Sequence, residues 1–294
     1  MKIIRTIAEM KAACRQVTRD GKTLGLVPTM GALHEGHMSL VRASKAQCNI
    51  TAVSVFVNPL QFGPTEDLDK YPRMLERDTK LLEEAGVELV FAPSVEEMYP
   101  SGRQTYVFVD ELSTKLDGDS RPGHFRGVTT VIAKLFEIAR PDVAFFGQKD
   151  AAQVAVLRQM GRDLDLDANI VVCPIVREKD GLAMSSRNAY LTSEQRQRAL
   201  ALHRSLMSVQ RARDAGEVDA AKLIEVGKRV IAEEREVRLD FFAIVDPDTL
   251  DPVETVFGGA LVAVAAFVGA TRLIDNILLT VPQPAPPLPV RPSR

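Results

Sequence analysis

The sequence predicts an α/β protein, a Rossmann-like, doubly wound parallel sheet, followed by a smaller C-terminal α+β domain. Three observations carry this expectation. Short β-branched runs alternate with longer amphipathic patterns through the first half of the chain. Several of those runs are apolar throughout, as strands covered on both faces must be. Beyond about residue 175 the pattern turns to hairpins and antiparallel spacing.

Taken in order, the strand candidates of the first half are 24–27, 50–57, 87–92, 106–109, 143–146 and 170–173. The clearest helix between them sets Phe125, Val128, Val131, Ile132, Leu135 and Phe136 at helical spacing, and Pro141 follows its end. Ligands of such a sheet sit at the carboxyl ends of its strands. His34, Asn58, Gln61 and Gly147 all fall just after strand candidates. Residues 175–178, an Asp180-Gly181 turn and residues 189–191 read as a hairpin. Thr192-Ser193-Glu194-Gln195 opens a polar helix, a second helix covers 220–234, and strands at 239–245, 260–267 and 272–279 close an antiparallel sheet. The expected organisation is a nucleotide-binding domain at 1–175, a lid-like domain at 176–280 and a proline-rich disordered tail at 281–294. That tail reads either as an inert extension or as a proline-rich ligand for a partner.

A chain of 294 residues with 46% hydrophobic content supports a substantial core. Its formal net charge of −2 leaves no electrostatic footprint for nucleic acid or an anionic membrane. Any anion must therefore be held by a local cluster of cations and amides. Cys14, Cys48 and Cys173 stand alone, with no C-x-x-C pair, as expected of small apolar residues or incidental thiols in a reducing compartment. The start of the chain lacks a signal-peptide pattern, and the apolar segment 261–268 is too short to cross a bilayer. The expectation is a cytoplasmic protein with no membrane and no nucleic-acid partner.

Two stretches carry the chemistry. Pro28-Thr29-Met30-Gly31-Ala32-Leu33-His34-Glu35-Gly36-His37 joins a strand to a helix start, where backbone N–H groups and the helix dipole favour an anion. Met184-Ser185-Ser186-Arg187-Asn188 places two hydroxyls beside a guanidinium, a set suited to a triphosphate. A zinc-protease reading of the two histidines fails on spacing, because His-Glu-x-x-His is required and the second histidine here comes one residue early. Neither a Walker loop nor a G-x-G-x-x-G turn follows the first strand. In Gly147-Gln148-Lys149-Asp150 the glycine permits close approach and the lysine offers charge, while Asp150 suits a ribose hydroxyl or a metal. Arg121-Pro122-Gly123-His124 is either a helix cap or a further anion contact.

These segments, together with Val57-Asn58-Pro59-Leu60-Gln61-Phe62 and Tyr71-Pro72-Arg73, resemble the pantoate–β-alanine ligase family in order over nearly all of residues 1–280. The resemblance implies ATP-dependent condensation of pantoate with β-alanine through a pantoyl adenylate, releasing AMP and diphosphate, with magnesium and a homodimer. It implies that Met30, Gly31, Ala32, Leu33, His34, Glu35, Gly36 and His37 line the ATP site, with His37 as proton donor. Gly147, Gln148, Lys149 and Asp150 would hold ribose and phosphates, the Val176 backbone would meet adenine, and Met184, Ser185, Ser186 and Arg187 would close over the triphosphate. His34, His37, Lys149, Ser185, Ser186 and Arg187 form the implied catalytic set. Gln61 and Gln153 would contact pantoate, Gln61 also β-alanine, and Asp78 is the candidate for magnesium. Shielding of an adenylate from water requires a lid, for which segments 63–77 and 185–188 are the candidates. The competing reading is a related nucleotidyltransferase that leaves the nucleotide on a phosphorylated small molecule; a non-catalytic nucleotide sensor is a second.

Overall fold

The structure is a computed structural model that describes residues 1–64 and 66–280; the proline-rich tail lies outside the described residues. In chain order the elements are β1 (Lys2–Ile4), α1 (Ile7–Arg19), β2 (Leu24–Thr29), α2 (Glu35–Gln47), β3 (Ile50–Val55), α3 (Leu75–Glu84), β4 (Leu89–Phe91), α4 (Val95–Met98), α5 (Asp117–Ser120), α6 (His124–Ala139), β5 (Val143–Gly147), α7 (Ala151–Asp163), β6 (Asn169–Cys173), α8 (Ser193–Asp214), α9 (Ala220–Ala232), β7 (Val237–Val245), β8 (Ala260–Val268) and β9 (Thr271–Leu279). Strands β1 to β6 form one sheet in the order β1-β4-β3-β2-β5-β6, and every pairing is parallel. The chain runs outward from β2 through β3 to β4, then restarts beside β2 with β5. The strand order thus reverses between β2 and β5, where a doubly wound sheet opens its ligand crevice.

Apolar side chains cover both faces of this sheet. Met10, Cys14, Phe125, Val128, Leu135 and Val156 pack on one side, and Leu33, Leu40, Val41, Leu82 and Phe145 on the other. The three cysteines are buried and unpaired. The second sheet, β7-β8-β9, is antiparallel. Its central strand β8 is apolar on both faces for a visible reason. Leu261 and Ala263 join the core of the large sheet, while Val262, Val264 and Ala266 pack with Leu202, Leu206 and Leu223 of α8 and α9. Among the described residues, no helix is long and apolar enough to cross a membrane.

Three details depart from the sequence expectation. Strand β1 is only three residues at the sheet edge, too short for a periodicity signal. Residues 106–109 are not a strand: the Val107 N–H donates to Thr130 Oγ1 (3.0 Å) and its carbonyl accepts from Thr129 Oγ1 (2.7 Å), so threonines of α6 satisfy the backbone that a neighbouring strand would otherwise serve. The hairpin is real but shorter, and its second arm is 182–184. Residues 189 and 190 belong instead to a 3-10 turn, Ser186–Tyr190, opened by Ser185 Oγ accepting from the Arg187 N–H.

Candidate active site

The turn after β2 is fixed almost entirely by backbone contacts. Thr29 Oγ1 donates to the Ser54 carbonyl (2.7 Å) and accepts from the Gly31 N–H (3.2 Å). Gly31 lies at φ +83°, where glycine escapes the Cβ penalty, and the next residue, Ala32, is held at φ +50°. The anchor is Asp78 of α3, which is 0% exposed. Its Oδ2 accepts from the Ala32 N–H (2.8 Å) and its Oδ1 from the Leu33 N–H (2.9 Å). Both oxygens are committed to amides beneath the turn, and among the described residues no cluster of three His, Cys, Asp or Glu side chains forms a metal cage.

At the start of α2 the two histidines cap one another's backbone. His34 Nδ1 accepts from the Gly36 N–H (3.1 Å), and His37 Nδ1 accepts from the His34 N–H (3.3 Å). A Cβ on Gly36 would sit 2.8 Å from the His34 ring, so this cap requires glycine. With each Nδ1 used as an acceptor, the neutral ring carries its proton on Nε2, and that N–H is the donor each ring has left. Burial lowers His34 from 6.5 to about 4, assisted by the Lys149 charge. Burial lowers His37 to about 3, assisted by His34 and Lys149. The rings stack 4.1 Å apart. Of the other residues in this stretch, Leu33 is in the core and Glu35 turns to solvent to pair with Arg42, so neither side chain faces the crevice. Glu35 adds its backbone N–H at the helix start, whereas the Leu33 N–H is already bonded to Asp78.

Lys149 lies in the 3-10 turn Gln148–Asp150 after β5, with its Nζ 3.8 Å from Asp150. A Cβ on Gly147 would meet nothing within 4 Å. Protein packing therefore does not demand that glycine, and the space is open to a ligand. Gln153 stands half-buried in the first turn of α7, and its amide has no hydrogen-bond partner among the described residues. Gln61 is placed by Asn58, a buried residue the sequence only marked by position: Asn58 Nδ2 donates to Gln61 Oε1 (3.0 Å) and to the Gly127 carbonyl (3.1 Å), while Gln61 Nε2 points to Met30 Sδ (3.0 Å). Helix α6 approaches this turn so closely that a Cβ on Gly127 would lie 2.1 Å from the Leu60 carbonyl oxygen.

The serine segment meets the histidine turn directly, since Ser186 Oγ donates to the Ala32 carbonyl (3.2 Å) across 154 residues. Val176 accepts from the Met184 N–H (3.0 Å), which sets the hairpin that carries the segment. Arg187 is engaged by Asp67, with Nε and one NH2 each 2.9 Å from the carboxylate. Its neighbour Glu66 takes Arg121 in the same bidentate way (2.7 and 2.6 Å). Burial disfavours ionising Glu66 and Asp67, yet the guanidinium bonds outweigh it and hold both carboxyls below their ordinary range. His124 donates from Nδ1 to the Gln61 carbonyl (2.8 Å), so the Arg121-to-His124 turn acts as support for Gln61. The two lid candidates lie against each other through Arg187–Asp67 and through Tyr190, whose hydroxyl donates to the Lys70 carbonyl (3.2 Å). The acidic pair Glu66-Asp67 escaped the sequence reading because two acidic residues in a polar loop look like any solvated surface.

Comparison with known proteins identifies the family and the fold. The family profile described as pantoate-β-alanine ligase matches residues 2–278. A pantothenate synthetase of Koribacter versatilis is 62% identical over 279 residues, covering 95% of this chain and 96% of its own. The crystal structure of pantothenate synthetase from Thermus thermophilus superposes with a TM-score of 0.90 at 46% identity, covering 94% of this chain and 99% of that one. A pantoate-β-alanine ligase from Francisella tularensis, described as complexed with "Beta-gamma ATP" and β-alanine, gives a TM-score of 0.78 at 32% identity, covering 95% of this chain and 97% of that one. With the strand order reversing between β2 and β5, a doubly capped histidine turn and these likenesses over nearly its whole described length, the chain belongs to the pantoate–β-alanine ligase family.

Proposed function

We propose that this protein joins pantoate to β-alanine at the expense of ATP, releasing AMP and diphosphate, and that the residues of the β2–β5 crevice do the work. The observation that carries the reading is the Ser186–Ala32 contact, which puts the serine segment and the histidine turn on one crevice. A carboxylate is already nucleophilic, so its attack on the α-phosphorus needs charge neutralisation and in-line placement more than a base. The Nε2–H groups of His34 and His37, the Lys149 ammonium, the hydroxyls of Ser185 and Ser186 and the Arg187 guanidinium are the proposed donors to the phosphates. The α-phosphorus–oxygen bond to diphosphate breaks as the new acyl–phosphate bond forms. In the second step the neutral β-alanine amine attacks the acyl carbon, the acyl carbon–oxygen bond to AMP breaks as the carbon–nitrogen bond forms, and the nitrogen releases one proton to solvent.

The remaining ATP contacts follow the same division: Met30 to His37 and Gly147 to Asp150 along the strand ends, Val176 at adenine, Met184 beside the serines, with Gln61 and Gln153 for pantoate. Magnesium is proposed to arrive as MgATP, ligated by phosphate oxygens and water, because the described residues present no cage for it. Segments 63–77 and 185–188 are proposed as the lid, residues 1–175 and 176–280 as the two domains, and the cytoplasm as the compartment. A homodimer is proposed. Incubation with ATP, magnesium, pantoate and β-alanine tests the reaction: AMP and diphosphate must accumulate, whereas ADP would mean an acyl-phosphate route. A product that retains the nucleotide would instead favour the nucleotidyltransferase.

A further inference from the structure

Strand β9 carries two consecutive polar residues inside an apolar run, Leu273-Ile274-Asp275-Asn276-Ile277-Leu278, and neither belongs to any motif noted above. Both are 3% exposed. Successive side chains leave a strand on opposite faces, and the contacts divide accordingly. Asn276 faces the large sheet: its Nδ2 donates to the carbonyls of Gln148 (3.0 Å) and Lys149 (2.9 Å), and its Oδ1 accepts from Gln148 Nε2 (3.0 Å). Asp275 faces the hairpin and takes both arms of Arg177 at 2.6 and 2.9 Å. Arg177 in turn donates to the Gly181 carbonyl (3.1 Å) at the tip of the hairpin that leads to Met184 and Ser185. From one strand of the small sheet, two adjacent residues therefore grip both phosphate-facing segments.

We propose that Asn276 is a positioning residue for the adenylation step, acting through the Lys149 backbone, with Asp275 and Arg177 fixing the opposite wall. The inference rests on the function proposed above. A lysine reaches its ligand on a long flexible stem, so its ammonium inherits any play in its own peptide. Two carbonyls on the Gln148–Lys149 turn are pinned here by one buried amide whose three contacts admit one orientation, since rotating it by half a turn would set its oxygen against both carbonyls. A misplacement of about 1 Å in a reacting group can cost roughly 100-fold in rate, and the Asn276 amide removes that freedom.

The experiment is a double-mutant cycle read by pantoate-dependent exchange of labelled diphosphate into ATP, using the full chain. Asn276→Ala is expected to lower the kcat of exchange by about 10- to 30-fold with the pantoate KM within about twofold. In a Lys149→Ala background the same change is expected to cost less than about twofold, because no ammonium remains to be misplaced. A merely structural residue would lose as much in either background, and additive losses overturn the proposal. If Asn276→Ala does not fold, Asn276→Asp takes its place, being close in shape yet unable to donate to two carbonyls. Gln148→Ala, which removes a single contact, carries the same non-additivity expectation at smaller amplitude. A wild-type protein that shows no pantoate-dependent exchange would sink the functional reading itself, whereas an exchanging wild type with an additive cycle would sink only the role of Asn276.

Discussion

The two walls of the crevice are built in opposite ways. The histidine turn is held by groups that cannot easily leave: a fully buried Asp78 under two amides, Thr29 under a third, and two imidazoles capping the helix backbone. The arginine wall is held by ion pairs whose side chains are about a quarter exposed, 26% for Arg187 and 23% for Asp67. Backbone hydrogen bonds to a buried carboxylate persist whether or not a ligand arrives, so the first wall is organised in advance. Asp67 occupies only Nε and one terminal nitrogen of Arg187 in a partly exposed ion pair, a pair that an incoming anion can compete for, so the second wall is exchangeable. Preorganised donors stabilise developing charge without reorganising during reaction, while an exchangeable wall lets substrate enter and then closes over it.

The contrast can be broken most severely at Asp78. Asp78→Ala orphans the Ala32 and Leu33 N–H groups in a dry site, at about 1–3 kcal/mol each, or roughly 2–6 kcal/mol in all, measurable by urea unfolding. A loss under about 1 kcal/mol would mean the turn does not depend on its clamp. His37→Ala is expected to slow single-turnover adenylation by about 100-fold, at a stability cost of about 1 kcal/mol for the lost cap. A slowing below about tenfold would remove His37 from the proposed chemistry.

Acid should distinguish the walls as well. Burial lowers His34 and His124 to about 4 and His37 to about 3, against 6.5 for an ordinary ring. Between those values the unfolded chain binds more protons than the folded one. The stability these rings contribute is therefore complete above pH 6.5 and is lost as pH falls towards 4 and below. His37→Asn should reduce the slope of stability against pH in that window by about one proton, and an unchanged slope would contradict the neutral, buried ring. The smallest effect is expected on the exchangeable wall. Asp67→Asn frees Arg187 from a pair worth about 0.2–1 kcal/mol, so the KM for ATP should fall by up to about fivefold. A higher KM would show that Asp67 aids binding instead of competing with it.

Much of this arrangement was legible in the sequence, for identifiable reasons. Strands such as β2 and β3 announce themselves because burial on both faces demands unbroken apolar runs, and the histidine turn because it sits between such a strand and a helix start. The family follows from the ordered motifs. The supports were not legible. Asp78 enters the sequence reading only as the magnesium candidate that the resemblance implies, and only the fold brings it beneath Ala32 and Leu33, 46 and 45 residues away. Arg121 and His124 look like anion ligands because their charge is visible in sequence, whereas their partners Glu66 and the Gln61 carbonyl are set by tertiary packing. Asp275-Asn276 did leave a mark, a polar pair interrupting an apolar strand, which buried strands tolerate only when the polar groups have partners.

The most direct test is a crystal structure of the protein with magnesium and a non-hydrolysable ATP analogue. The account predicts Nε2 of His34 and of His37 at about 3 Å from phosphate oxygens, with Arg187 turned from Asp67 onto the same triphosphate. A triphosphate bound with Arg187 still on Asp67, or with both imidazoles facing away from it, would contradict the two-walled site.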